Sequence, residues 1–215
     1  MSNAPIPLFS NMEKQILQEI MNIAFGSASG DLEEIIGVSV ILHIPEVEII
    51  PIETLLDYLE ENLKLKDEST IIEEMFTGDF SGSALLMFPE SIKPDLLALL
   101  SGIKDLPHDE EPEIDRTRKE VFLEIGNILI GTSVGKITEL LKTSVSYKPP
   151  VAIDGKPEDF THVLANINAD SVAIILKTYF SFKNHDLNGT MMIVSSHQSV
   201  IWLKNALNSF LEAYR

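Results

Sequence analysis

The sequence predicts an α+β fold made of two similar halves, each running helix, strand, variable insert, two strands, helix, with a mostly antiparallel sheet and one shared core. Three observations lead there. The text Glu19-Ile-Met-Asn22-Ile returns as Glu124-Ile-Gly-Asn127-Ile, and at the same offset Gly26 pairs with Gly131, Gly30 with Gly135 and Pro45 with Pro150. Recurrence at fixed spacing marks an internal duplication. The hydrophobic period switches from helical to alternating at corresponding places in the two halves. The strands fall in hairpin pairs rather than in strand–helix–strand crossovers, which favours antiparallel pairing.

Each element has its own signal. From about Asn11 to Ile36, Met12, Ile16, Ile20, Ile23, Ala24, Ala28, Leu32 and Ile35 recur at three- and four-residue steps, with Gly37 as the stop. Val38 to Ile52 is rich in β-branched residues but broken by Pro45 and Pro51, so it reads as strand with an edge or bend. Thr54 to Leu65 reads as a short amphipathic helix, Thr70–Thr77 and Phe80–Phe88 as a hairpin around Gly78-Asp79, and Ser91–Leu100 as a helix. The second half repeats this order. A helix from Ile114 to Leu141 has Phe122, Ile125, Leu129, Ile137 and Leu140 as core positions, and strand follows over Ser144–Ile153. Ser171–Phe182 and Leu187–Val194 form a hairpin turning near Asn184-His185-Asp186. Ser196–Tyr214 closes as a helix through Val200, Ile201, Leu203, Leu207 and Leu211. The hairpin phrases match as well, Phe80-Ser-Gly82-Ser-Ala-Leu-Leu-Met beside Leu187-Asn-Gly189-Thr-Met-Met-Ile-Val.

A length of 215 residues suits one sizeable core. We therefore expect a single domain over 1–215, made of pseudo-repeats at about 11–101 and 114–215 and joined by an acidic, proline-containing linker, 102–113. Asp109-Glu110-Glu111 in that linker reads as a solvated run favouring the next helix N-terminus.

Composition removes several function classes. There is no cysteine, so disulfides, thiolate nucleophiles and cysteine-built zinc sites are out, as suits a cytoplasmic protein. The net charge is −17, from 16 basic and 33 acidic residues, with no basic cluster for nucleic acid or an anionic membrane. Apolar stretches such as Ala84–Phe88 and Val172–Leu176 are far too short to span a bilayer, and no export signal opens the chain. The five histidines show no ligand spacing, so no metal site is expected. No phosphate-cradling loop, dinucleotide fingerprint or nucleophile elbow is present. A protein partner fits best.

The repeated acid and amide share a helix face. At about 100° per residue, with Ile16 as zero, Ile16, Leu17, Ile20, Ala24, Ala28 and Ile35 fall between roughly 0° and 120°. Glu19 lies at about 300°, Gly26 at about 280°, Gln15 at about 260° and Asn22 at about 240°. Glu120, Glu124, Asn127 and Gly131 form the same stripe in the second half. Glycine inside a helix costs about 1 kcal/mol against Ala, so Gly26 and Gly131 on the polar stripe suggest close approach by a partner. Gly30 and Gly135 fit either that reading or close packing of two helices. The acid can grip a partner's lysine, and the amide can hold one water in line with a phosphorus atom.

These residues resemble the CheC/CheX/FliY family of chemotaxis phosphatases, which act on the phosphorylated response regulator CheY. The family pattern is Asp or Ser, three residues, Glu, two residues, Asn, twenty-two residues, Pro. Glu19, Asn22 and Pro45 fit it, as do Glu124, Asn127 and Pro150; Gly78-Asp-Phe-Ser-Gly82-Ser-Ala-Leu-Leu-Met-Phe-Pro89 also looks like the family's strand segment. The resemblance covers nearly the whole chain. Two intact sites look more like CheC than CheX, and no flagellar-switch domain follows, which argues against FliY. It departs at the leading position, Gln15 in one copy and Glu120 in the other.

The resemblance implies a CheC-like fold and roles for the stripe. Glu19 and Glu124 would each pair with the receiver's lysine, and Asn22 and Asn127 would each position the water that attacks the aspartyl phosphate. Gln15, Gly26, Glu120 and Gly131 would lie against the partner, while Pro45 and Pro150 would be structural. Mg2+ would sit on the receiver's own acids, so this chain needs no cofactor. The deamidase CheD is a second possible partner, and the expected state is a monomer, with a dimer left open. The alternative is a non-catalytic adaptor that binds a receiver domain or CheD.

Overall fold

A computed structural model describes residues 9–36, 39–43, 46–62, 69–89, 111–155, 172–182 and 188–213. Helix α1 (Asn11–Ile36) opens on a reciprocal cap. The Glu13 N–H donates to Ser10 Oγ at 3.2 Å, and the Ser10 N–H donates to Glu13 Oε2 at 2.7 Å. This Ser-x-x-Glu box satisfies two of the donors that a helix start leaves unpaired. Glu13 also ties α1 to the last helix, with Lys204 Nζ at 3.5 Å and the Asn208 amide donating at 3.4 Å. Burial alone would raise the Glu13 carboxyl; the Ser10 hydrogen bonds, Lys204 and Asn208 outweigh it and hold the group below its ordinary value.

The chain continues through β1 (Val40–Leu42), β2 (Glu46–Pro51), a 3₁₀ turn (Ile52–Thr54), α2 (Leu55–Asn62), β3 (Ser69–Gly78) and β4 (Gly82–Pro89). The second half supplies α3 (Glu111–Leu140), β5 (Val145–Tyr147), β6 (Val151–Gly155), β7 (Val172–Phe182), β8 (Asn188–Ser195) and α4 (His197–Ala213). The eight described strands join one sheet in the order β1-β7-β8-β4-β3-β5, with β2 also along β7 and β6 along β3. Every pairing is antiparallel. The halves interleave: β1 and β2 pair with a second-half strand, and β5 and β6 pair with a first-half strand.

Register carries the duplication into the sheet. Phe76 faces Tyr147 and Glu73 faces Val151, just as Phe180 faces Leu42 and Lys177 faces Glu46. Across each break the outer strand uses one residue more than its partner, which is a bulge. The Lys148 N–H donates to the Met75 carbonyl and the His43 N–H to the Tyr179 carbonyl, both at 2.9 Å, at equivalent points. Pro150 lies in the second break, where a missing N–H interrupts no ladder. Pro45 lies outside the described residues. At the centre Leu85 faces Met192, and these are equivalent residues of the repeated hairpin phrase, so a pseudo-two-fold axis passes through them.

Alternation sorts the strands between two faces. Ile72, Phe76, Ala84, Leu86, Phe88, Met191 and Ile193 point into the main core, under α1, α3 and α4. Ile71, Leu85, Met87, Met192 and Val194 point the other way, toward Ile52, Leu55 and Tyr58. Phe88 and Phe122 meet edge to face at 5.3 Å and fix α3 over the sheet.

Several expectations need adjusting. The strand expected with a bend over 38–52 is two short strands, Val40–Leu42 and Glu46–Pro51, and the single run expected over 144–153 is likewise two, Val145–Tyr147 and Val151–Gly155. The second long helix starts at Glu111, with Pro112 in its first turn, where its lacking N–H costs nothing. The helix expected over Thr54–Leu65 is a 3₁₀ turn followed by a helix that ends at Asn62 in the described chain. Met12, Ile23 and Ile201 were counted in apolar periods yet are exposed, at 53%, 45% and 43%. Gly37, the helix at 91–100, the turn at 184–186 and most of the linker lie outside the described residues.

Helix α3 closes with a Schellman-type turn. The Thr143 N–H donates to the Thr138 carbonyl at 2.9 Å and the Lys142 N–H to the Glu139 carbonyl at 3.0 Å, with Lys142 left-handed at φ 56°. A side chain there is strained, so Lys142→Gly is expected to stabilise the fold by about 1 kcal/mol in denaturant unfolding.

Candidate active site

On α1 the buried positions are Ile16, Leu17, Ile20, Met21, Ala24 and Phe25, and they leave Gln15, Glu19, Asn22 and Gly26 exposed in one stripe. On α3 the buried large apolar positions include Phe122, Ile125, Leu129, Ile130, Val134 and Ile137. Glu120, Glu124 and Asn127 are exposed there, and Gly131 is half-buried. The two helices pack side by side on one sheet face, so each half presents its acid and amide outward. Among the described residues no cluster of three or more His, Asp or Glu side chains comes together that could hold a metal ion.

The glycines divide by geometry. A Cβ added at Gly26, Gly30 or Gly131 would meet nothing within 4 Å. These three therefore do not allow a close helix contact within the described residues, which disposes of the packing reading for Gly30. At Gly135 the nearest atom is the Tyr147 hydroxyl, at 3.7 Å. Since Gly26 has open space and costs its helix about 1 kcal/mol, Gly26→Ala is expected to raise unfolding stability by about that much. If a partner needs the bare backbone there, the same variant loses activity while gaining stability; thermal unfolding and turnover measured together separate the two effects.

The glycine that packing does require is Gly126, inside the second motif copy. A Cβ at that position would collide with Ile72 of β3. Its counterpart in the first copy is Met21, fully buried. Of the two inner positions of the motif, Ile20/Ile125 is shared and Met21/Gly126 differs, the glycine making room for Ile72 of the sheet. The sequence comparison exposed this Met/Gly exchange but gave no reason to call it structural. Gly78 and Gly82 in the hairpin phrase are likewise packing residues, crowded by the Ser144 and Val194 carbonyls respectively.

Beneath the second stripe lies a buried carboxyl whose counterpart in the other half is an uncharged hydroxyl. Glu74 is 2% exposed on the helix-facing side of β3, and its Oε2 has no hydrogen-bond partner. Burial pushes its carboxyl up to about 7. Tyr147, pushed up to about 12 by burial and then by Glu74, donates to the Gly131 carbonyl at 3.3 Å. The equivalent register position in the other half is Thr178, whose hydroxyl donates to the bulge carbonyl of His43 at 2.6 Å. Sequence reading passed over Glu74 because a charged residue inside a strand pattern normally marks the wet face.

No family model matches the sequence. The flagellar motor switch phosphatase FliY of Bacillus subtilis (strain 168) is 26% identical over 141 residues, which cover 66% of this chain and 35% of that protein. In structure, Thermotoga maritima FliY is similar with a TM-score of 0.71 at 18% identity, over 94% of this chain and 98% of that one. The chemotaxis protein CheX of Desulfovibrio desulfuricans is similar with a TM-score of 0.51 at 16% identity, over 82% of this chain and 99% of that one. The chain is similar in sequence to a FliY protein and shares the fold of FliY and CheX. Among more distant folds, the FliM middle domain of Vibrio alginolyticus gives a TM-score of 0.59 at 10% identity, over 88% of this chain and 99% of that one.

The sequence resemblance set FliY aside for want of a following switch domain. Similarity to two FliY proteins removes that distinction. The chain spans about a third of the length of the curated relative that it matches, 35%. No described helix is long and apolar enough to cross a membrane.

Proposed function

We propose that this chain hydrolyses the aspartyl phosphate of a CheY-type receiver domain. The observation that carries the reading is the exposure of Glu19 with Asn22, and of Glu124 with Asn127, on equivalent helix faces of a chain related to a phosphatase. Glu19 or Glu124 accepts the receiver's lysine ammonium in a charge-assisted hydrogen bond and docks the substrate. The amide of Asn22 or Asn127 binds one water through its oxygen or NH₂ group and holds it in line with phosphorus. Water oxygen bonds to phosphorus as the bond to the aspartyl oxygen breaks. The receiver's carboxylate is the leaving group, inorganic phosphate departs, and the water's proton passes to solvent. Mg2+ belongs to the receiver, where it offsets charge on the transferring group.

The test charges a CheY-type receiver with a small-molecule phosphodonor in Mg2+ and follows loss of the aspartyl phosphate with and without this protein. Acceleration at substoichiometric protein supports the reading. An unchanged decay rate on every receiver from the same organism overturns it.

One observation favours a second reading, that of a binding protein. The same fold serves the FliM middle domain, and one solved structure is a FliG-FliM complex from H. pylori, with a TM-score of 0.56 to this chain. Stable binding of a receiver or a deamidase without phosphate release would favour that adaptor role.

A further inference from the structure

The two stripes are not equal as surfaces. On α1, Met12 and Ile23 are 53% and 45% exposed, whereas Ile20, Met21, Ala24 and Phe25 on the same helix are all at 1% or less. At about 100° per residue Met12 and Ile23 fall at about 320° and 340°, against about 300° for Glu19. Ile23 is one turn beyond Glu19 and adjoins Asn22, so the apolar pair borders the polar stripe rather than lying elsewhere on the helix. In the second half the position of Ile23 is taken by Ile128, which is half-buried and packed against the core. Met12 is replaced there by Thr117, and Gln15 by the exposed Glu120.

Single exposed apolar residues are ordinary on any surface. Here two of them flank the same acid, whereas in the duplicated copy one is Thr117 and the other, Ile128, is drawn toward the core. We propose that the first stripe is the tighter docking face for the phosphorylated receiver, with Met12 and Ile23 as its apolar contacts and specificity determinants. This rests on the function proposed above.

The occupant follows from charge and continuity. A chain of net charge −17 favours a partner surface that brings an ammonium to Glu19. The apolar pair beside that acid gives the complex area to dehydrate around the ion pair, as contact residues do at the rim of a hot spot. At the second stripe Glu120 adds a carboxylate facing a phosphorylated, anionic substrate, and the exposed apolar pair of the first stripe is replaced by Thr117 and the half-buried Ile128. The partner is thus a receiver presenting apolar surface next to its lysine, and the second site is left with weaker docking.

The test uses single-site proteins. Asn127→Ala keeps the first site and Asn22→Ala keeps the second. The first-site protein is expected to show the lower KM for phosphorylated receiver. Ile23→Ser in that background is expected to raise KM about 10-fold at unchanged kcat, about the loss of one good interface contact. Ile23→Leu is expected to restore KM. A KM unmoved by Ile23→Ser, or a lower KM in the second-site protein, overturns the proposal. Should no variant dephosphorylate the receiver, calorimetric titration with receiver charged by beryllofluoride still decides it. About 10-fold weaker binding by Ile23→Ser supports the docking face, and equal affinity overturns it. Failure of docking and failure of catalysis are thereby read separately.

Discussion

Replacing Asn22 and Asn127 together by Ala is expected to slow receiver dephosphorylation by at least ~10²-fold, the scale of losing one preorganised polar group at a reacting centre. The reasoning is local. Both amides are exposed on helices whose opposite faces carry the core, so truncation removes no packing. Helical preference changes little and favours Ala, so the double variant stays folded with unfolding stability at or above that of the parent. What disappears is the group that holds a water against the phosphorus. The loss should fall on kcat, because docking rests on Glu19 and Glu124. Each single variant keeps one site and most of the rate that this site supplies. Phosphate release from charged receiver, at saturating and subsaturating substrate, measures this directly. A double variant matching the parent would remove the catalytic assignment.

Glu74→Gln is expected to stabilise the protein strongly at alkaline pH and little in acid. Burial pushes the folded-state carboxyl up to about 7 from an ordinary value of 4.5. The sign follows from linkage: a raised folded value means that the native state binds the proton more tightly than the unfolded chain. Its contribution is fully present below about 4.5 and is lost as pH rises through about 7. At about 1.36 kcal/mol per unit, ionised Glu74 costs the native state on the order of 3 kcal/mol above pH 7. Gln removes the charge and leaves an uncharged polar group at this register position, as Thr178 is in the other half. Thermal unfolding should therefore show a gain of roughly 5–10 °C at pH 8 for a chain of this size, shrinking toward zero at pH 4.5. A gain independent of pH would mean that the carboxyl is not what titrates.

The halves, the antiparallel pairing and the outward stripe were legible because each rests on periodicity, which survives in a sequence without knowledge of what packs where. Ile16, Leu17, Ile20 and Ala24 on one side of α1, and Glu19 with Asn22 on the other, follow from residue spacing alone. The misreadings fall where tertiary contacts decide. Ile23 and Ile128 have the same residue type and the same helical position, yet only Ile128 is drawn against the core. Gly126 is set by the approach of Ile72, a residue far away in sequence. Pro45 signalled the break in the first outer strand, but the splitting of 144–153 follows from a one-residue mismatch with β3, which no single-strand pattern displays. The buried side of Glu74 was hidden for the same reason, since alternation shows two faces without saying which one meets helices.

The exchange of outer strands bears on how such a chain can arise and be divided. The central seam of β4 against β8, with Leu85 opposite its own counterpart Met192, is the arrangement that a symmetric dimer of half-length chains would build. Joining the two copies makes that association intramolecular, independent of concentration, and frees each copy to change alone. A chain severed at the join would leave each fragment holding strands whose ladders lie in the other, so the fragments are expected to recover structure by reassociating.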